Sequence, residues 1–155
     1  MRSNRGRIIR PIMDGDPFDL ERFVAAQRAN YDDALAELRA GRKTSHWMWY
    51  VLPQLRGLGQ SAMARRYGIA SLDEARAYLA HAVLGPRLRA CVDALNALPG
   101  NDPVRVLGSI DAVKLRSCLT LFLAAAPADP AFAAALAKYY GGNADERTRA
   151  LLRNA

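Results

Sequence analysis

Three Asp-Pro pairs, Asp16-Pro17, Asp102-Pro103 and Asp129-Pro130, each stand directly before a stretch whose apolar residues recur at threes and fours. In such a pair the aspartate side chain accepts an orphan N–H of the first helical turn, and proline at the first helical position has no N–H to lose. The chain opens helices this way three times, and no run alternates with period two for long enough to nominate a strand. Together these features point to an all-helical fold. The first pair predicts a helix that carries Leu20, Phe23, Val24, Tyr31, Ala34, Leu35 and Leu38 to about Arg39, closed by Gly41. Ser71 with Glu74 makes a capping box that opens a short helix through Leu79. Gly85 and Pro86 punctuate the next, whose stripe is Leu88, Cys91, Val92, Leu95 and Leu98 and which ends at Pro99-Gly100. Ile110 to Ala124 is the most apolar helix and is expected to be buried on more than one side. Ala131 to Tyr140 stops at Gly141-Gly142, and Asp145 to Leu152 reads as an amphipathic surface helix. The expected fold class is all-α: a compact multihelical bundle with a central aromatic-rich short helix and loop.

That central segment is Lys43 to Gly59, KTSHWMWYVLPQLRGLG, which holds both tryptophans of the chain. Trp47, Met48, Trp49 and Tyr50 are consecutive, and neighbouring helical positions point about 100° apart. One stripe of a helix cannot hide all four, so the segment must be wrapped on several sides. A buried indole N–H or phenol O–H needs a partner, and Ser45, His46 and Gln54 supply polar groups nearby. Such a segment is either a packed core linchpin or the wall of a ligand pocket.

With 155 residues, of which 51% are apolar, the chain can bury a core without metal or disulfide staples. The expected organisation is a basic flexible leader over 1–15 and a single α-helical domain over 16–155. Of the formal charge of +7, four units come from Arg2, Arg5, Arg7 and Arg10. The remaining 18 basic and 15 acidic residues nearly balance, which is not the concentrated stripe that nucleic-acid binding rewards. The four leader arginines allow only weak contact with nucleic acid. Met13 lies just before the first helix signal and is an alternative start of the chain. No apolar signal segment precedes Asp14, and the run LTLFLAAA is too short to span a bilayer, so no membrane role is expected. Cys91 and Cys118 sit on apolar stripes without CxxC spacing, which reads as buried, inert thiols in a cytoplasmic protein. Neither a metal site nor a cofactor is implied.

The phrases DPFDLERFVAAQ, SHWMWYVLPQLRGLG, SLDEARAYLAH and LGPRL, with the run from Asp111 through Lys114 and Ser117 to Leu121 and Phe122, resemble the bacterial family called domain of unknown function 1810. The resemblance extends from Asp16 to Leu152. It implies a compact all-helical fold and no established activity; the label calpastatin sometimes given to members has no physical support in this chain. Cys118 and Leu119 stand where Ser and Met are usual in that family, and Ala82 where proline often follows His81.

Several positions carry chemistry. Gln27 falls on the apolar stripe of the first helix beside Tyr31, where a buried amide must find a structural hydrogen bond or a ligand. His46 is a candidate acid or base, or a loop histidine bonded to backbone. His81, at a helix end, is expected to interact with terminal carbonyls. Asp111, Lys114, Ser117 and Leu121 share a helix face, so an Asp-Lys-Ser triplet either faces the aromatic segment or forms an exposed ion pair. Pro53, Gln54, Gly57 and Gly59 make a turn-rich loop without nucleotide-loop spacing, flanked by Lys43, Arg56, Arg65 and Arg66.

The function expected from these residues is a small-molecule pocket for a nucleotide or ADP-ribose-like compound. Its wall would be Gln27, Tyr31, Lys43, Ser45, His46, Trp47, Trp49, Tyr50, Gln54, Lys114 and Ser117. If chemistry occurs there, His46, Asp111 and Lys114 are the catalytic candidates, in a hydrolysis like that of N-glycosidases. The alternative is a non-enzymatic helical module that binds DNA or protein through its basic tail and loop.

Overall fold

The computed structural model describes residues 15–154. The leader arginines Arg2, Arg5, Arg7 and Arg10 lie outside the described residues. In chain order the helices are α1 (Glu21–Gln27), α2 (Tyr31–Ala40), α3 (Met48–Val51), α4 (Ala62–Tyr67), α5 (Leu72–Ala80), α6 (Leu84–Ala97), α7 (Pro103–Leu107), α8 (Ser109–Ala125), α9 (Pro130–Tyr140) and α10 (Glu146–Asn154). Among the described residues the extended structure amounts to one isolated parallel bridge, Leu55 with Ile69. The fold is all-α, and the aromatic segment supplies the short α3.

Two of the three Asp-Pro pairs act as their chemistry implies. Asp102 accepts from the N–H groups of Val104 and Arg105 at 2.9 and 3.3 Å, and Asp129 from that of Ala131 at 3.0 Å, each with proline in the first turn. Asp16-Pro17 differs. Asp16 reaches the N–H groups of Leu20 and Glu21, at 2.7 and 2.9 Å, across a turn that contains Pro17. Asp19 takes a φ of 53° there, which keeps the helix from beginning before Leu20.

The single helix expected from Pro17 to Arg39 is in fact two, α1 and α2, separated at Arg28–Asn30. Val24 and Tyr31 still fall two turns apart in sequence, so the apolar spacing runs in step across the break and conceals it. A second correction concerns His81. Its Nδ1 accepts from the N–H groups of Val83 and Leu84, at 3.1 and 3.2 Å, and so caps the start of α6 rather than meeting the carbonyls at the end of α5.

Helix α8 is the axis of the molecule, with α5, α7, α9 and α10 packed against it. Leu115 and the unbroken run Ser117 to Phe122 are all buried, as a helical stretch covered on several sides must be. A chain of rings crosses the core, from Tyr50 to Tyr67, Phe23, Tyr78, Phe122 and Phe132. Its closest pair is the edge-on Phe23 and Tyr78, with centroids 5.1 Å apart. Arg22 locks α1 to α5 through Glu74 Oε2 at 2.8 Å, with side chains only 9% and 2% exposed, and donates to the carbonyls of Arg66 and Gly68 as well. No described helix is long and apolar enough to cross a membrane.

Candidate functional site

Glu37, on α2, organises the turn that leads into the tryptophans. Its Oε1 accepts from Thr44 N–H at 2.8 Å, Ser45 N–H at 3.0 Å and the Trp47 indole at 2.9 Å, while Oε2 takes the Ser45 hydroxyl at 2.6 Å. Burial alone would raise this carboxyl. The Ser45 hydroxyl, the Thr44 N–H, the Trp47 indole and the Ser45 N–H outweigh it and bring the group from 4.5 down to about 2. The turn starts where Gly41, at φ 79°, ends α2, and Lys43 N–H anchors it to the Val106 carbonyl at 2.7 Å. Trp47, Met48 and Tyr50 are thereby driven into the core, and Trp49 is left half-buried at the surface.

Next to Trp49 stands a cluster of two lysines and one carboxylate. Asp111 Oδ2 meets Lys43 Nζ at 2.9 Å, and its Oδ1 meets Lys114 Nζ at 3.4 Å. The three side chains are 17%, 8% and 19% exposed, in the order Asp111, Lys43, Lys114. Each ammonium also lies over an indole, Lys114 at 3.7 Å from the Trp49 ring and Lys43 at 5.0 Å from that of Trp47. A half-buried cation over an indole face gains electrostatic attraction from the ring quadrupole. Asp111, Lys114 and Ser117 thus face the aromatic segment, and Ser117 is buried with its hydroxyl donating to the Val113 carbonyl.

Trp49 and Lys114 open on a groove of about 440 Å³. One wall is the loop after the tryptophans, with Gln54, Leu58 and Gly59; the other is the first half of α8, with Ser109, Ile110, Val113 and Ser117. Asp145 and Arg147, at the start of α10, complete the lining, and Arg147 donates to the Leu58 carbonyl at 3.4 Å. Ile110 and Val113 are 73% and 64% exposed, the two most exposed large apolar side chains described. A larger cleft of about 560 Å³ runs between the end of α2 and the loop before α7. Its lining, which includes Gly41, Leu98, Pro99, Gly100, Asp102 and an exposed Arg105, offers neither an aromatic ring nor a half-buried cation, so the smaller groove is the better candidate.

The structure divides the residues singled out from the sequence. Trp49, Gln54, Lys114 and Ser117 line the groove, with Lys43 and Asp111 joined to Lys114 beside it. Ser45 and Trp47 are engaged by Glu37. Gln27 belongs to a separate buried network: its amide donates to the Tyr50 carbonyl at 2.8 Å and the Tyr78 hydroxyl at 3.1 Å, and accepts from Arg87 at 3.3 Å. Tyr31 lies under the Arg87 guanidinium and donates to the Arg87 carbonyl; burial, then the Cys91 thiol, pushes its phenol up to about 12. His46 is exposed and outside the groove lining.

Of the basic flank, Arg56 is tied to the Gly68 carbonyl at 3.1 Å and Arg66 to the Tyr67 hydroxyl at 3.2 Å, while Arg65 is exposed. Both cysteines are buried, and burial pushes their thiols up, that of Cys91 to about 12. Among the described residues no cluster of three His, Cys, Asp or Glu side chains gathers as metal ligands would.

Glu37, Ile110, Val113 and Arg147 carry no signal of their own in the sequence. Ile110 and Val113 belong to the most apolar helix of the chain, where nothing in the spacing marks an apolar residue as exposed.

Comparison with known proteins agrees with this architecture. A solved crystal structure, that of the conserved hypothetical protein Rv1873 from Mycobacterium tuberculosis, is similar with a TM-score of 0.87 and 56% identity, over 89% of this chain and 99% of that one. No curated protein matches the sequence significantly. The profile of the family described as "Protein of unknown function (DUF1810)" matches residues 17–152. The chain belongs to the DUF1810 family.

Proposed function

We propose that the protein binds a small molecule with a flat apolar body and polar substituents, a nucleotide or ADP-ribose-like compound, in the groove between Trp49 and α8. The observation that carries this reading is the exposure of Ile110 and Val113 on the same concave surface as Trp49, with Gln54, Ser117 and Lys114 among them. Leaving such side chains in water forgoes about 1.5–3 kcal/mol each relative to full burial, and a ligand laid across them would recover part of it. Concave sites that take small molecules are mostly apolar with a few placed polar groups, and their volumes run from about 300 to 1,000 Å³. The groove has that composition and size. Two free, buried thiols fit a reducing, cytoplasmic setting for such a ligand.

The reading stops at binding. Asp111, the acid that would polarise water in an N-glycosidase-like hydrolysis, has an ammonium on each of its oxygens. Binding of nucleic acid or protein through the basic loop has less support, because Arg56 and Arg66 are engaged within the chain.

A thermal-shift panel of nucleotides, NAD, ADP-ribose and sugar phosphates tests the proposal on the full chain and on Val113→Trp, which fills the groove from an exposed position. A ligand at 100 times its Kd adds about 2.7 kcal/mol. For a domain of this size that raises the midpoint by roughly 5–11 °C. The expected result is such a shift in the wild type and its loss in Val113→Trp. A panel that leaves the wild type unmoved, or shifts both proteins equally, would sink the proposal.

A further inference from the structure

Resting on that reading of the groove, we infer that its ligand carries an oxyanion, that Lys114 is the group that takes it, and that Asp111 is an internal competitor for the same lysine. The cluster beside Trp49 holds two ammonium groups and one carboxylate, so it carries a surplus positive charge in a place where all three side chains are less than one-fifth exposed. The two lysines do not share the carboxylate equally. Lys43 is the nearer, at 2.9 Å, and the more deeply buried, whereas Lys114 makes the longer contact, a hydrogen bond at 3.4 Å. One carboxylate cannot balance two ammonium groups, and Lys114, held by the longer contact, is the one released at less cost.

Lys114 rests on the face of Trp49 at 3.7 Å, a neutral partner that attracts a cation less than an anion would. It is the member of the cluster that lines the groove, and Arg147, which also donates to the Leu58 carbonyl at 3.4 Å, lines it as a second cation. The opposing charge there is Asp145, whose Oδ2 is taken by the N–H and hydroxyl of Thr148 at 2.9 and 2.6 Å. A ligand whose apolar body covers Ile110 and Val113 would thus bring a phosphate or carboxylate to Lys114, and the ammonium would leave Asp111 to meet it. Asp111 would set how tightly the oxyanion is held: its charge keeps Lys114 in place in the free protein and opposes the incoming anion.

Calorimetric titration with adenosine, AMP and the carboxylate analogue of AMP tests this on the full chain and on Lys114→Met and Asp111→Asn. Lys114→Met keeps the apolar stem over Trp49, and the melting point of each variant verifies that it is folded. In the wild type the charged compounds are expected to bind about tenfold tighter than adenosine, as one charge-assisted hydrogen bond allows. Preference for AMP or for its carboxylate analogue identifies which oxyanion the site is built for. Lys114→Met should abolish the advantage of charge, so that AMP, its carboxylate analogue and adenosine bind that variant alike. Asp111→Asn should strengthen the charged compounds severalfold, a gain that a merely structural aspartate would not give. Equal binding of charged and neutral compounds by the wild type, equal loss of both in Lys114→Met, or weaker AMP binding in Asp111→Asn would overturn the inference while leaving the groove reading standing. Failure of the wild type to bind any of the three, together with a silent thermal-shift panel, would remove the groove reading itself.

Discussion

Glu37 shows how a single carboxylate can set the position of a whole segment. It satisfies two backbone N–H groups, a hydroxyl and the indole of a tryptophan that is 1% exposed. Glu37→Ala would leave the Trp47 N–H without its acceptor and is expected to cost about 1–3 kcal/mol. Because the folded-state carboxyl is held at about 2 against 4.5, its contribution is fully present above the unfolded value and is lost as pH falls from there through about 2. Urea unfolding of wild type and Glu37→Ala across that range should show a stability gap that is constant near neutrality and narrows on acidification. A gap independent of pH would contradict the role. Nothing in the sequence marks Glu37, because a glutamate at a half-exposed helical position looks like any solvated charge. Trp47, Trp49 and Lys114, by contrast, were legible: consecutive large rings cannot share one stripe, and a lysine on the most apolar helix must find a rim or a partner.

At the scale of elements, helix starts were the most legible feature, since a cap is local chemistry between side chain and backbone a few residues apart. Asp102, Asp129 and Ser71 all cap their helices, the last by accepting from the Glu74 N–H at 3.1 Å. The break between α1 and α2 was not legible because apolar period and helix continuity are separate properties, and only the first is written in Val24 and Tyr31. Gly85 shows the same limit. In sequence it punctuates a boundary, whereas in the fold it lies inside the first turn of α6, where an added Cβ would stand 2.1 Å from the Leu79 carbonyl oxygen of α5. That neighbour is backbone and cannot rotate away. Gly85→Ala is therefore expected to destabilise the protein by about 1–3 kcal/mol or more, measured by chemical denaturation. An unchanged midpoint would mean that α5 and α6 can separate without cost.

For the whole molecule, the all-helical architecture followed from the repeated start signal and the absence of strand alternation. The groove did not, because a concavity arises where α8, the loop after the tryptophans and the start of α10 meet, and no spacing along the chain encodes that meeting. The same geometry separates the sequence candidates into two regions: Trp49, Gln54, Lys114 and Ser117 at the groove, and Gln27 and Tyr31 in the polar network with Arg87 and Tyr78. The most direct test of the groove as a binding site is a titration of the ¹⁵N-labelled full chain with ADP-ribose, followed by amide and indole shift changes. Binding in the groove should move the Trp49 indole and the amides of Gln54, Ile110, Val113, Lys114 and Arg147 along saturable curves, and leave Gln27, Tyr31 and the Gly41–Pro99 cleft unmoved. Saturable shifts confined to that cleft or to the Gln27 network, or none at millimolar ligand, would contradict it.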